Sequence, residues 1–187
     1  HDPWMTYPRA VVRRLVRNHF ERTEELYERH ALALERLQEE LGMGPHEVVV
    51  LASVVEKEAA VADERAIIAG VFLNRLRSET FRPRRRLQAD PTVSYGCLAE
   101  PTAAPRCAGF DGRITRAMLD DSANRYNSYR HEGLPPGPIA NPGLASIVAV
   151  LDPTVHDYLY FVARGGRRHR FSATLERHNE GVDALRE

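Results

Sequence analysis

Lysine is nearly absent from this sequence: Lys57 is the only one, and the other 25 of its 26 basic residues are arginine. Because 26 acidic residues balance them, the formal net charge is zero and nothing in it favours a nucleic-acid partner. Long apolar runs are missing too: none reaches the roughly 18 residues that a transmembrane helix needs, and no secretory signal peptide is recognisable. The 43% of hydrophobic residues is nevertheless enough to build a folded core.

Several catalytic signatures are also missing. The sequence contains no glycine-rich phosphate loop and no HExxH, GxSxG or CxxC motif. Its eight histidines show no recurring metal-ligand spacing, so neither a metal nor a cofactor is expected. Acid–base chemistry by carboxylates is the class of catalysis that remains.

Cysteine is scarce, with only Cys97 and Cys107 in the whole sequence. They lie close together in a stretch that reads as a loop, and a disulfide between them would stabilise the fold by about 2–3 kcal/mol. Such a bond would place the chain in an oxidising compartment. The alternative is two free thiols. A zinc site is not expected, because no second cysteine pair accompanies them.

The most informative stretch is an apolar one that ends in two carboxylates. Residues 46–60 place apolar side chains around nearly the whole helical circumference, which predicts a buried helix. At its end stand Glu56 and Glu58, where burial raises the pKa of a carboxyl and suits it to act as a general acid. Positions i and i+2 of a helix point in widely different directions, so the two do not form a simple acid–nucleophile pair. The residues alone leave open which is catalytic, or whether both face solvent and pair with Lys57, Arg65 or another base.

The rest of the sequence predicts an α+β fold: a mainly helical domain with a small antiparallel sheet. Residues 1–43 form a helical lead-in, as one helix or as two that break near Thr23, and residues 44–187 form the main domain. Gly42 ends the lead-in and Pro45 suits the first turn of the buried helix. Further helices are predicted at about residues 63–79, 114–121, 144–151 and 174–185.

A C-terminal hairpin provides the sheet. Residues 158–163 are the clearest strand, Gly165 and Gly166 supply the turn, and residues 168–172 return as the partner. Asp90 and the proline that follows it mark a turn before a short extended or helical segment.

Two irregular segments carry candidate binding groups. Arg82, Arg84, Arg85 and Arg86 surround a proline and form either an anion-binding turn or a solvated loop. Residues 133–143 contain four prolines and three glycines, which excludes regular structure there. A rigid loop near tyrosine and asparagine suits carbohydrate contacts, although a purely structural connection fits the composition equally well.

In this order along the chain, seven blocks resemble the MltG/YceG-like endolytic murein transglycosylases and cover about residues 44–182. The blocks are LASVVEKE at 51–58, GVFLNRL at 70–76, LQADPTVSYG at 87–96, YNSY at 126–129, GLPPGPIANPG at 133–143, YLYFV at 158–162 and His178-Asn179. The resemblance departs at Ala89, where the family usually has threonine, at the longer turn 82–86 and at the cysteine segment.

The resemblance implies cleavage of the MurNAc–GlcNAc β-1,4 bond within peptidoglycan strands. The C6 hydroxyl of the sugar attacks in place of water, so a 1,6-anhydro-MurNAc end forms and no second carboxylate is needed. It also implies that Glu58 is catalytic, first as the acid that protonates the leaving oxygen and then as the base towards the C6 hydroxyl.

Further residues receive roles from the same resemblance. Six match motif positions that line the glycan groove: Gln88, Asp90, Tyr126, Asn127, Tyr129 and Asn141. Glu56, Asn74 and Arg75 are expected to support Glu58, with Glu56 paired to Arg75 or to another arginine.

The resemblance also implies where the chain works and with what. It predicts a periplasmic or other extracytoplasmic location, with membrane contact only through an anchoring segment that this chain lacks, and an association with cell-wall synthases. Two other hypotheses compete with the transglycosylase: a non-catalytic peptidoglycan-binding or scaffold module of the same fold, and a hydrolase that uses water with Asp90 as the second carboxylate.

Overall fold

Helices make up most of the fold. A computed structural model describes residues 21–185. A helical stretch over residues 21–29 comes first. Seven labelled helices follow in the described part: α1 (Ala31–Leu41), α2 (Pro45–Glu58), α3 (Arg65–Arg77), α4 (Asp90–Ala99), α5 (Arg116–Leu119), α6 (Leu144–Leu151) and α7 (Leu175–Asp183). Two short 3-10 helices, Ala62–Glu64 and Pro105–Cys107, and two strands, β1 (Tyr160–Gly165) and β2 (Arg168–Ser172), complete the set. The predicted α+β class is confirmed.

Helix α2 is the centre of the main core, as its all-round apolar sequence predicts. Val48, Leu51, Val54 and Val55 are fully buried, and α3 and α6 pack against them. The helix begins where Pro45 needs no hydrogen-bond partner and where the Glu47 carboxylate accepts a hydrogen bond from Gly44 N at 3.0 Å. It ends at Glu58, so the two candidate carboxylates lie at the edge of the core.

The lead-in packs on the same core. Leu26 and Leu37 are buried among the residues of α2 and α3. The helical run breaks at His30, and not near Thr23, which lies inside a helix. Gly42 ends α1 as predicted, in a left-handed conformation (φ 68°) that glycine adopts at low cost. Residues 1–20 lie outside the described part, so the domain boundary at 43/44 stays a prediction.

The predicted hairpin forms a two-stranded antiparallel sheet. Tyr160 pairs with Ser172 and Val162 with Arg170. Its turn lies one residue later than predicted: Gly166 and Arg167 both adopt positive φ, and the pairing is irregular between residues 163 and 165. A two-residue turn with positive φ at both positions matches the twist of the strands.

A second, smaller core lies beneath α4. It buries Val93, Cys97, Cys107 and Met118. Asp90 and Pro91 do not form a separate turn: they begin α4, where the missing N–H of proline costs nothing. Cys97 therefore lies on a helix, and its sulfur is joined to that of Cys107 with the two Cα atoms 5.0 Å apart. Mass spectrometry of the unreduced protein, two hydrogens lighter than the reduced chain, would test the bond.

Candidate active site

Glu58 is the last residue of α2, where the helix leaves the core. Its side chain is partly buried, and this burial is the largest cause that raises the pKa of its carboxyl to about 7. The nearby Asp90 raises the pKa further, and Arg75 opposes the shift. Within residues 21–185, no hydrogen bond or ion pair engages the Glu58 carboxyl. A carboxyl that is half protonated near neutral pH and free of partners is suited to donate a proton to a bound substrate.

Asp90 and Tyr129 form a hydrogen-bonded pair beside Glu58. The Tyr129 hydroxyl donates to Asp90 Oδ1 at 2.7 Å. Burial is the largest cause that raises the pKa of Tyr129, followed by its bond to Asp90, so this hydroxyl stays protonated. The Asp90 side chain is exposed and has acceptor capacity left for a ligand.

Ser128 fixes the segment that presents Asp90. Its Oγ accepts a hydrogen bond from Ala89 N at 2.9 Å and lies 2.8 Å from Thr92 Oγ1. Its carbonyl accepts from Gln88 N at 3.2 Å. Gln88 adopts a left-handed conformation (φ 52°), and its partly buried side chain lies beside Tyr129 in a cavity described below. The predicted groove positions Gln88, Asp90 and Tyr129 thus come together at one place.

Arg75 is a buried cation held by backbone carbonyls and aromatic rings. Its Nε donates to Leu159 O at 2.7 Å and its Nη1 donates to Leu87 O. Its guanidinium lies over three phenylalanine rings at 5.2–5.8 Å: Phe72, Phe81 and Phe161. Burial lowers the pKa of Arg75 to about 10, so it remains charged at neutral pH. Arg75 therefore joins α3, the segment before Asp90 and the hairpin, and places a positive charge near Glu58.

Of the two predicted alternatives for Glu56, its partner is another arginine, Arg65, and not Arg75. Ser146 Oγ donates to Glu56 Oε2 at 2.5 Å, Gly143 N donates to the same oxygen at 3.2 Å, and Arg65 Nη2 lies 3.7 Å from Oε1. The bond from Ser146 is the main cause that lowers the pKa of Glu56. Glu56 is therefore an anion that fastens α2 to the start of α6, on a different side from Arg75.

Helix α2 holds the proline-rich loop at two points. Ser53 Oγ accepts a hydrogen bond from Ile139 N at 2.9 Å, and Glu56 accepts the one from Gly143 N. Asn141 lies between these two anchors, and its side chain is exposed. The predicted groove contact of Asn141 stays a prediction, but its loop is fixed to the helix that carries Glu58.

Asn127 is fully buried, and its amide is engaged by the backbone. Its Nδ2 donates to the carbonyls of Met118, Leu119 and Asp121 at 2.8–3.1 Å, and its Oδ1 accepts from Tyr129 N at 3.0 Å. Asn127 therefore holds the turn that carries Tyr129, and its predicted glycan contact stays a prediction.

Tyr126 and Asn74 are the remaining predicted site residues. Tyr126 is half-buried and packs edge-to-face on Tyr95 at 4.8 Å, which leaves part of its ring accessible. Asn74 donates from Nδ2 to His156 O at 2.9 Å and Tyr158 O at 3.1 Å, so it ties the strand entry to α3. Asn74 thus supports Arg75, whose partner Leu159 follows directly.

Several supporting residues were missed by sequence reasoning. Ser146 holds Glu56 and Ser128 holds Asp90, and serine is too common a residue type to be singled out from the sequence. Arg65, by contrast, was among the bases predicted to pair with these glutamates, and it lies beside Glu56. His178 stacks on Tyr160 at 5.4 Å, and burial together with the Arg75 charge lowers its pKa. The His178-Asn179 block was the available signal for this last group.

The described part of the chain holds no group of three or more histidine, cysteine, aspartate or glutamate side chains arranged to bind a metal ion. No helix between residues 21 and 185 has both the length and the apolar character to cross a bilayer.

Comparison with known proteins decides the family. The model of the YceG-like family matches residues 2–184, nearly the whole chain. The chain belongs to the YceG-like family. Among YceG-like structures, a crystal structure from Listeria monocytogenes superposes with a TM-score of 0.66 at 35% identity, over 89% of this chain and 47% of that one.

Two curated relatives of this YceG-like chain carry the name endolytic murein transglycosylase. The protein of Bacillus subtilis is 38% identical over 138 residues, which are 74% of this chain and 34% of that protein. The protein of Streptococcus pneumoniae D39 is 37% identical over 120 residues, 63% of this chain and 19% of that protein. The chain thus spans about a third or less of the length of these relatives.

Proposed function

We propose that this chain is the catalytic domain of an endolytic murein transglycosylase, which cleaves the MurNAc-β-1,4-GlcNAc bond of peptidoglycan strands and leaves 1,6-anhydro-MurNAc ends. The observation that carries the proposal is Glu58. Its carboxyl has no hydrogen-bond partner among residues 21–185, its pKa is raised to about 7, and it lies at the edge of the core beside the Asp90–Tyr129 pair. The names of the two curated relatives agree with it.

The reaction needs one proton and one carboxyl. Protonated Glu58 gives its proton to the bridging oxygen, and the bond between that oxygen and C1 of MurNAc breaks. The C6 hydroxyl of the same MurNAc attacks C1 and returns its proton to the Glu58 carboxylate, so no water is consumed. Because the first step needs the protonated form, the cleavage rate is expected to fall as the pH rises above about 7.

The surroundings of Glu58 supply the other requirements. Burial is the largest cause that raises the pKa of Glu58 to about 7, Asp90 raises it further, and Arg75 limits the shift. The Tyr129 hydroxyl and the free acceptors of Asp90 lie where sugar hydroxyls would bind. Glu56 is held by Ser146 of α6 and by Arg65 of α3, away from the region of Asp90 and Tyr129, so it is not placed to be the second carboxylate of a hydrolase.

Product analysis tests the proposal. Purified glycan strands are digested with the wild-type chain and with Glu58→Gln, and the new ends are identified by mass spectrometry. We expect anhydro ends from the wild type and a loss of about a thousandfold in Glu58→Gln. Full activity in Glu58→Gln would refute the assignment, and strand binding without new ends would instead support a non-catalytic binding module.

One observation favours a second candidate, a hydrolase. Asp90 lies close enough to Glu58 to raise its pKa, as the second carboxylate of a glycosidase does. In that case Asp90 would activate water, this water would add across the bond, and the new ends would be reducing MurNAc. The same digest separates the two reactions by the mass of the product, because the anhydro end is one water lighter.

The location and partners follow from this function. A peptidoglycan substrate places the chain outside the cytoplasm, and a disulfide between Cys97 and Cys107 suits an oxidising compartment. We propose the periplasmic or outer face of the cell membrane as its location and cell-wall synthases as its protein partners. Co-purification of cross-linked synthases with the full-length protein would test the second point.

A further inference from the structure

An arginine-lined cavity of about 280 Å³ adjoins the candidate active site. Its polar lining consists of Arg86, Gln88, Arg116, Asp120, Tyr129 and Arg130. Two of these residues, Gln88 and Tyr129, also belong to the candidate groove. Tyr129 connects the two sites directly, because its hydroxyl bonds Asp90 while its carbonyl accepts a hydrogen bond from Arg86 Nη1 at 2.9 Å.

The cavity carries more positive than negative charge. Three guanidinium groups face it, and Asp120 is its one carboxylate. Asp120 Oδ2 lies 3.3 Å from Arg116 Nε, and its Oδ1 lies 3.9 Å from Arg130 Nη1, so one carboxylate is shared by two arginines. The buried Arg86 Nε has no hydrogen-bond partner in the part of the chain that the structure describes. Because Arg116 and Arg130 share one carboxylate, an anion that entered would meet positive charge that this carboxylate does not neutralise.

The backbone around Arg86 is held in place. Arg86 forms a bridge to Gly133, and Gly133 N donates to Arg85 O at 2.7 Å. The earlier arginines of the same basic turn are engaged elsewhere: Arg82 donates to Glu79 O at 2.6 Å, and Arg84 pairs with the Glu79 carboxylate at 2.5 Å. Among these three arginines of the turn, Arg86 is the one that faces this cavity.

We propose that this cavity binds a carboxylate of the glycan strand next to the bond that is cut; the proposal rests on the proposed function. Guanidinium groups bind carboxylates through paired, charge-assisted hydrogen bonds. Peptidoglycan offers two sources: the lactyl carboxylate of a MurNAc without a peptide, and the carboxylates of the stem peptide where one is attached. In a peptide-bearing MurNAc the lactyl group is an amide, so the two sources exclude each other on one sugar.

Four substrates distinguish the sources. Bare strands and peptide-bearing strands are each prepared with free carboxylates and with carboxylates converted to neutral methylamides. Initial cleavage rates at low substrate concentration give kcat/KM for each. We expect neutralisation to lower kcat/KM by roughly five- to tenfold in the series that supplies the carboxylate, the effect of one or two ion pairs.

Variants at the rim of the cavity show whether it is responsible. In Arg116→Gln/Arg130→Gln, charged strands should be cut at the rate of neutralised ones, and neutralised strands at the wild-type rate. Asp120→Asn removes the competing carboxylate and should increase the preference for charged strands. The matched control is Arg29→Gln/Arg36→Gln, which removes two exposed arginines from the lead-in and should leave the preference unchanged.

The outcomes separate this inference from the proposed function. Equal wild-type rates on charged and neutralised strands in both series would overturn the carboxylate site and leave the transglycosylase standing. If no strand is cut, the proposed function fails, and binding of the four strands to Glu58→Gln then decides the cavity. A preference for charged strands that survives in Arg116→Gln/Arg130→Gln would also overturn it, and so would a preference that is lost in the control.

Discussion

Two glutamates at the end of α2 lie two residues apart and have opposite surroundings. Glu56 accepts hydrogen bonds from Ser146 and Gly143 and lies beside Arg65, and these contacts lower its pKa. Glu58 has no such partner in the described part of the chain, and burial raises its pKa to about 7. The same chain segment thus provides one carboxylate that fastens the fold and one that is available for chemistry.

The difference follows from helix geometry. Residues at positions i and i+2 of a helix are about 200° apart, so they face different neighbours. Glu56 faces the start of α6, where free backbone N–H groups favour an anion. Glu58 faces the region of Asp90, Tyr129 and Arg75, whose polar groups are arranged around an open side. The different roles of Glu56 and Glu58 therefore follow from the directions in which the helix points them, because the residue type is the same.

The largest expected effect is the loss of activity when Glu58 is replaced. Glu58→Gln should abolish cleavage, by about a thousandfold or roughly 4 kcal/mol in transition-state stabilisation, because glutamine cannot donate the proton. Anhydro ends measured by mass spectrometry give the activity, and thermal unfolding shows that the variant is folded. Glu56→Gln should retain much of the activity under the same conditions. Equal losses in both variants would contradict the division of roles.

The pH dependence of stability should have opposite sign at the two positions. The folded pKa of Glu58 lies near 7 and its usual value is 4.5, so its ionisation destabilises the fold as the pH rises from about 4.5 to 7. At pH 8, Glu58→Gln should therefore be more stable than the wild type, by up to about 3 kcal/mol, and the gain should vanish near pH 4. Denaturant unfolding at several pH values measures it.

The contribution of Glu56 to stability should change with pH in the opposite direction in the same measurements. Its lowered pKa contributes stability above about pH 4.5 that is lost as the pH falls through the folded pKa. Glu58→Gln and Glu56→Gln curves that shift in the same direction at pH 8 would show that the two carboxyls have similar surroundings.

A smaller effect, on stability, is expected when Glu56 is replaced. Glu56→Gln replaces a charged acceptor of two hydrogen bonds by a neutral one and should lower the free energy of unfolding by about 1–2 kcal/mol at pH 7. The matched control is Glu35→Gln on the exposed face of α1, which should change it by less than about 0.5 kcal/mol. A Glu56→Gln variant as stable as that control would show that the contact to α6 contributes nothing.

The smallest effect concerns the loop that Glu56 and Ser53 hold. Asn141→Ala removes an exposed amide and should reduce kcat/KM by a few-fold while leaving the thermal midpoint unchanged. Asn127→Ala should instead lower stability, by about 2 kcal/mol, because it removes the buried amide that donates to the carbonyls of Met118, Leu119 and Asp121. A loss of stability in Asn141→Ala would assign it a structural role.

Sequence reasoning predicts the scaffold well because its signals are local. The all-round apolar stretch 46–60 indicates a buried helix wherever it packs, and the paired strands near Gly166 follow from their pattern and turn residues. The partners of Glu56 escape such reasoning, because Ser146 lies 90 residues away in a helix of ordinary apolar composition. Charge alone leaves open which arginine pairs with Glu56: Arg65 lies beside it, whereas aromatic rings and carbonyls hold Arg75.

The YNSY block shows the same limit of sequence reasoning within a single motif. Asn127 and Tyr129 lie two residues apart in one block, yet one is buried in a backbone turn and the other reaches Asp90. Motif resemblance marks both positions equally, because loss of the turn and loss of the contact would each disable the site. Only the hydrogen-bond partners distinguish them.

The double attachment of the loop 139–143 has a consequence for the energetics of substrate capture. A loop that moves freely loses conformational entropy when a ligand orders it, and affinity falls accordingly. Here the bonds to Ser53 and Glu56 restrict the loop during folding, before a glycan strand arrives. Calorimetry of strand binding should therefore show a more unfavourable entropy change in Glu56→Gln than in the wild type.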